Sequence, residues 1–285
     1  MSKFLTTNAI TEFDAEVKHQ YQGMAKLRKT VTTRTNVTGD SYRFQRMGKG
    51  MANQKPSQAD VTPMNVGHAN QTAMLYNWNA PEYTDIFDQA EVNFEEKVEL
   101  ATTIAGGLGR REDQIVLDTL AGATFATTND LNPDTGLSVT VATNFTQSEV
   151  TRARRHFQEL EYSGETCAVV QAAALQELLN TDQLSSSDYN IVKALVEGNL
   201  TTKWMGFNWE VIGIREEGGL AGVTTAEQAY FYAKNCIGLA IGIDMRTEIN
   251  YIPQKTSWLT NGLYKAGAVL REPQGVVRII YNETA

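Results

Sequence analysis

The residues whose types could carry chemistry in this chain are three histidines, two cysteines, two glycine-rich stretches and one acidic group. His19, His68 and His156 fall in an expected helix, an extended stretch and a second expected helix. None has a second histidine or a cysteine at the short spacing a metal site or a nucleophile–base pair requires, so they read as surface or interface residues. Cys167 and Cys236 lie far apart, each inside an apolar run, and read as buried free thiols. Gly106-Gly107-Leu108-Gly109 and Gly218-Gly219-Leu220-Ala221-Gly222 lack the Lys-Ser/Thr of a phosphate loop, and neither follows a strand to open a helix. A bend in a helix and a loop account for them. No Gly-x-Ser-x-Gly elbow is present. Glu95, Glu96 and Glu99 could hold a cation, but carboxylates at a helix start are favoured by the helix dipole alone. Catalytic, cofactor and metal residues are therefore expected to be none.

The elements that would position such residues come from composition and periodicity. The 285 residues, 42% hydrophobic and 20% charged, suffice for a sizeable core, and no apolar run approaches a membrane span or a cleaved signal. The net charge of -8 is unevenly spread: the first sixty residues carry about +5, leaving about -13 on the rest. Such asymmetry favours head-to-tail contact between copies of one chain. Ile10, Phe13, Val17, Tyr21 and Met24 predict an amphipathic helix over about Asn8 to Leu27. From about Thr30 to Gln89 the chain is polar, with alternating patches that predict two long strands running out and back around a Gly- and Pro-containing tip at 47–56. So long a segment with so few core residues calls for support from a neighbouring subunit.

A long helix is predicted over about Asn93 to Gly122, bent at its glycines, then a helix over Thr146 to Tyr162, a strand at Cys167 to Val170, a helix at Ala172 to Leu179 and a loop at Asp182 to Asp188. A short helix at Ile191 to Val196 and a strand at Trp209 to Ile214 precede the loop Arg215 to Gly222. Strands follow at Tyr230 to Ile243, Thr247 to Ile252, Tyr264 to Leu270 and Val276 to Tyr281, with turns at Pro253, Asn261-Gly262 and Pro273 to Gly275. The mixture without βαβ alternation predicts an α+β fold. The aromatics Trp204, Phe207, Trp209, Tyr230, Phe231 and Tyr232 are assigned to a core.

This order of elements, together with the apolar-Gly-apolar turn Trp204-Met205-Gly206-Phe207-Asn208-Trp209 leading into a strand, resembles the major capsid protein of tailed bacteriophages, the Hong Kong 97 type of shell fold. The resemblance implies an N-terminal arm at 1–35, an extended loop at 36–89, a peripheral domain with its spine helix at 90–144, an axial domain at 145–240 and closing strands of the peripheral domain at 241–285. It implies no enzyme activity and no cofactor. The implied partners are other copies of the chain in pentamers and hexamers, scaffolding and portal proteins, and packaged DNA bound without sequence specificity, with no membrane. The implied locations are the virion capsid and, during assembly, the host cytoplasm. No scaffolding segment precedes the arm, so a separate scaffolding protein, or none, is expected. Arg215, Glu216 and Glu217 would meet their copies at a symmetry axis. Arg43 and Arg46 would face Glu95, Glu96 and Glu99 of a neighbour, with Lys49 and Lys55 at the loop tip, where some relatives crosslink a lysine to an asparagine. A ring- or tube-forming tail protein and an α+β enzyme are the competing readings.

Overall fold

The computed structural model describes residues 24–89, 96–128, 132–179, 203–220 and 226–282. The expected helix at Asn8 to Leu27 lies outside them up to residue 23, as do the loop at Asp182 to Asp188 and the helix at Ile191 to Val196. At its described end the first of these differs from expectation: Met24 to Lys26 are not helical, and Leu27–Thr30 form a single 3-10 turn.

Two larger sheets organise the chain. The first is built from β1 (Thr32–Arg34), β4 (Tyr76–Asp85), β10 (Ile237–Ile252) and β11 (Ser257–Leu270) in the order β1-β10-β11-β4. The second takes β5 (Phe125–Ala126), β6 (Gly136–Thr140), β7 (Thr166–Gln171), β8 (Phe207–Ile212), β9 (Glu227–Ala233) and β12 (Val276–Tyr281) in the order β5-β6-β12-β9-β7-β8. A separate ribbon pairs β2 (Ser41–Met47) with β3 (His68–Met74) in antiparallel register from Ser41↔Met74 to Met47↔His68. The helices are a short α1 (Ile86–Gln89), the long α2 (Glu96–Ala121), α3 (Gln147–Glu159) and α4 (Ala172–Leu179).

Several expectations are corrected by this topology. The glycines at 106–109 do not break the long helix, which runs unbroken through them. A Cβ on Gly109 would stand 3.2 Å from the backbone nitrogen of Ala25, so this glycine admits the incoming N-terminal chain. Asn261-Gly262 is no turn but mid-strand, paired with Glu248 and Thr247. A Cβ on Gly262 would be 2.3 Å from Ile104 Cγ2, so the residue lets α2 settle onto β11. The two strands expected at Tyr230 to Ile243 and Thr247 to Ile252 are cut differently: a 3-10 turn at Lys234–Cys236 ends β9, and β10 continues through residues 244–246 by register shifts. β5, β6 and β12 hydrogen-bond into the same sheet as β7, β8 and β9.

One core serves both layers. Ile104, Leu108, Val116 and Leu120 of α2 recur at steps of four or eight and are buried together with Phe207, Phe231, Tyr232 and Tyr264. All six aromatics assigned to a core join this cluster, five buried and Trp204 partly so. The turn before β8 has Met205 and Gly206 both at positive φ, with Trp204 and Phe207 exchanging backbone hydrogen bonds across it. That is the primed geometry suited to a tight reversal between strands. α3 opens on a capping box between Thr146 and Glu149.

The ribbon attaches where two backbones nearly touch. A Cβ on Gly267 would lie 1.8 Å from the carbonyl oxygen of Met74, and neither backbone can yield cheaply. Gly267→Ala is therefore expected to lower the melting temperature sharply, by an overpacking cost of about 1–3 kcal/mol or more. Thermal unfolding followed by circular dichroism checks this; an unchanged melt would show that the base of the ribbon adapts.

Candidate assembly surfaces

The middle of α2 carries two acids where its apolar stripe predicts core residues. Glu112 stands between Leu108 and Val116 in the i+4 row, and Asp113 stands between Gly109 and Leu117 in the adjoining row; both are fully buried. Asp113 accepts hydrogen bonds from the backbone N–H of Lys26 and of Leu27, at 3.0 and 2.9 Å, and from Arg215 Nη1 at 3.1 Å. Glu112 accepts from the Tyr264 hydroxyl at 2.6 Å and has Arg28 Nε at 3.9 Å. Arg28 in turn holds Asp244 of β10 with both ends of its guanidinium, at 3.0 and 2.8 Å. Three distant stretches, the chain entering at 26–28, the loop at 215 and the sheet at 244 and 264, are thus tied to one turn of the spine helix.

Burial raises the pKa of both carboxyls above the ordinary carboxylate range. The Tyr264 hydroxyl and Arg28 pull Glu112 back down, as the two backbone N–H groups and Arg215 do Asp113. A carboxyl whose folded value is raised contributes fully to stability below its unfolded value, near 4.5 for glutamate, and loses that contribution as pH rises through the folded value. Glu112→Gln keeps an acceptor for Tyr264 and leaves Arg28 its Asp244. It is expected to melt higher than the parent at pH 7 and to match it near pH 4, which melts at the two pH values would check.

The sequence-selected residues divide. Arg215 is not presented outward: it is buried on Asp113. Glu217 pairs with Arg111, and the N–H of Gly218 donates to Gln114 Oε1 at 2.8 Å. The described part of the loop expected at a symmetry axis therefore clasps the spine helix of its own chain, because Gly218, at φ 74°, lets it approach the Arg110 carbonyl. Glu216 is exposed, and Ile214, which the sequence reading did not single out, is 100% exposed. Glu95 lies outside the described residues; Glu96 opens α2 and Glu99 stands in its first turn.

On the ribbon, Arg46 is already near Asp134 and Glu272 of its own chain, at 3.9 and 4.0 Å. Arg43 is exposed and lines a cleft with Arg34 and Arg271. Lys49 lines another cleft, with Leu160, Tyr162 and Glu272, and Lys55 is exposed at the tip. The ribbon's buried residues are few: Phe44, Ala73 and Leu75 pack with Ala240 in a small cluster of their own. Beyond it Met47, Met51 and Val61 are 67, 80 and 77% exposed.

His156 is a core residue, with Nε2 2.8 Å from the Gln274 carbonyl oxygen and its pKa lowered by burial. Cys167 and Cys236 are buried and unbonded to each other, and burial pushes the Cys167 thiol up to about 11.

The fold has clear relatives. The chain resembles the capsid structure of the cyanophage P-SCSP1u, with a TM-score of 0.76 at 13% identity, covering 98% of this chain and 94% of that one. It also resembles the capsid of a native GTA particle, with a TM-score of 0.75 at 12% identity over 97 and 96% of the two chains. The head of Helicobacter pylori bacteriophage KHP40 gives a TM-score of 0.72 at 11% identity over 98 and 96%. No curated protein matches the chain in sequence. The family model described as phage capsid protein matches residues 5–283. The chain belongs to the phage capsid protein family and is a shell-building major capsid protein of the Hong Kong 97 fold type.

Proposed function

We propose that copies of this chain close into pentamers and hexamers of an icosahedral shell, each ribbon lying over the start of a neighbour's spine helix, and that the shell encloses DNA without reading its sequence. Scaffolding and portal proteins are the further partners of this reading, and the host cytoplasm is where it is assembled. The observation that supports it is the ribbon itself, whose small buried cluster leaves Met47, Met51, Val61 and Met64 in water in a single chain. Because Arg46 already has acids of its own chain nearby and Arg43 stands back from the tip within β2, the basic contribution to a neighbour's Glu95, Glu96 and Glu99 falls mainly to Lys49 and Lys55.

The role is structural, and we assign no catalytic, cofactor or metal residue. The two thiols and His156 are spent on the core. Electron microscopy of the purified chain, with light scattering at rising concentration, tests the reading. Closed particles are expected; open tubes, or a monomer at every concentration, would overturn it.

A further inference from the structure

Three arginines from distant parts of the chain meet in one cleft of about 370 Å³, lined by Thr32, Arg34, Tyr42, Arg43, Phe44, Gln45 and Arg271. The fold brings them together step by step. β1 pairs with β10 through Thr32↔Gly238 and Arg34↔Ala240, which fixes the first arginine at the sheet edge. A Cβ on Gly238 would stand 2.7 Å from the Phe44 ring, so this glycine lets β2 lie against β10 beside β1 and brings Arg43 alongside. Arg271 follows the end of β11, and its backbone N–H is held by the Cys236 carbonyl at 2.6 Å.

No lining residue is acidic, and none of the three arginines has a carboxylate partner among the described residues. Glu272, next to Arg271 in sequence, lies 4.0 Å from Arg46, and Asp40 pairs with Lys265 at 2.8 Å. Arg271 is held only by a 3.3 Å bond from Nη2 to the Gln45 carbonyl and by the Phe44 ring 5.5 Å away, while its Nε is shut off from solvent without an acceptor. A charged donor buried without an acceptor is costly, and three like charges at one cleft repel. An oxyanion in the cleft offsets that repulsion and gives the guanidinium nitrogens that face the cleft an acceptor. Guanidinium forks match the paired oxygens of phosphate, and the hydroxyl of Tyr42 offers a further donor.

We propose that Arg34, Arg43 and Arg271 form a binding site for a phosphate-class oxyanion, supplied either as a free anion or by the backbone of a nucleic acid. The site is complete within one chain, so it stands or falls apart from the shell reading: a chain that binds phosphate yet forms no particles would sink that reading and leave this one standing.

Calorimetric titration of the purified full-length chain with inorganic phosphate, and separately with a short DNA duplex of random sequence, tests the site at fixed ionic strength. The parent is expected to bind phosphate. Arg34→Gln combined with Arg43→Gln, both exposed residues, is expected to weaken that binding at least about tenfold while circular dichroism stays unchanged. Lys49→Gln combined with Lys55→Gln removes the same number of charges and is expected to leave it intact. Arg271→Gln should abolish binding; if that variant fails to fold, the double variant still decides. Duplex binding that weakens in step, with its salt slope reduced by about two, identifies nucleic acid as the source. Loss of phosphate binding alone identifies the free anion. No binding by the parent, equal losses in the lysine control, or displacement of bound phosphate by a glutamate-rich peptide but not by DNA would overturn the proposal.

Discussion

Replacing Asp113 by alanine is expected to destabilise the subunit by about 3–5 kcal/mol, the usual cost of removing one partner from a buried ion pair and leaving the other unmatched. Arg215, buried on this carboxylate, would keep its charge with nothing to face, and the N–H groups of Lys26 and Leu27 would lose their acceptor. Arg215→Ala is expected to cost less, because Asp113 would retain both backbone donors. Denaturant unfolding measures both. The alanine variant should also open new tryptic cuts at Lys26, Arg28 or Lys29, since the entering chain would no longer be tied to the spine helix. A midpoint within about 1 kcal/mol of the parent, with no new cuts, would mean that the loop and the entering chain are held by apolar packing instead.

This hub shows where the sequence was and was not readable. The long helix was visible because Val98, Ala101, Ala105 and Leu108 recur at helical steps, and the ribbon because Thr, Asn and Gln alternate with isolated aromatics. The two acids at 112 and 113 were missed, although Glu112 falls in the row of Ile104, Leu108, Val116 and Leu120, where an apolar group is expected. That pattern signals a buried polar contact but does not name the partner. Arg215 could not be matched with Asp113 from a separation of 102 residues. The glycines misled for a related reason. Gly109 and Gly262 carry no local turn; each makes room for a chain segment remote in sequence, and only tertiary packing shows which. The three-arginine cleft was hidden likewise, since residues 34, 43 and 271 meet only once β1, β2 and β11 are placed.

Changing Met47, Met51, Val61 and Met64 together to serine is expected to leave the subunit folded and to abolish particle formation. These side chains are exposed in the single chain, so their loss should change its stability by no more than about 0.5 kcal/mol each. Buried against a neighbour, each large apolar side chain contributes about 1.5–3 kcal/mol, whereas an exposed ion pair contributes about 0.2–1 kcal/mol. The comparison decides which part of the ribbon holds the shell: four apolar side chains outweigh the two lysines at its tip by severalfold. Lys49→Glu with Lys55→Glu is accordingly expected to slow assembly at low salt and to matter little at high salt, where exposed charges are screened, and Glu99→Lys should restore part of the rate. Assembly yield by sedimentation, read at low and high salt for each variant, separates the two contributions. If the serine variant assembles as the parent does while the glutamate variant fails at every salt concentration, the ribbon is held by its charges, and the exposed methionines have some other use.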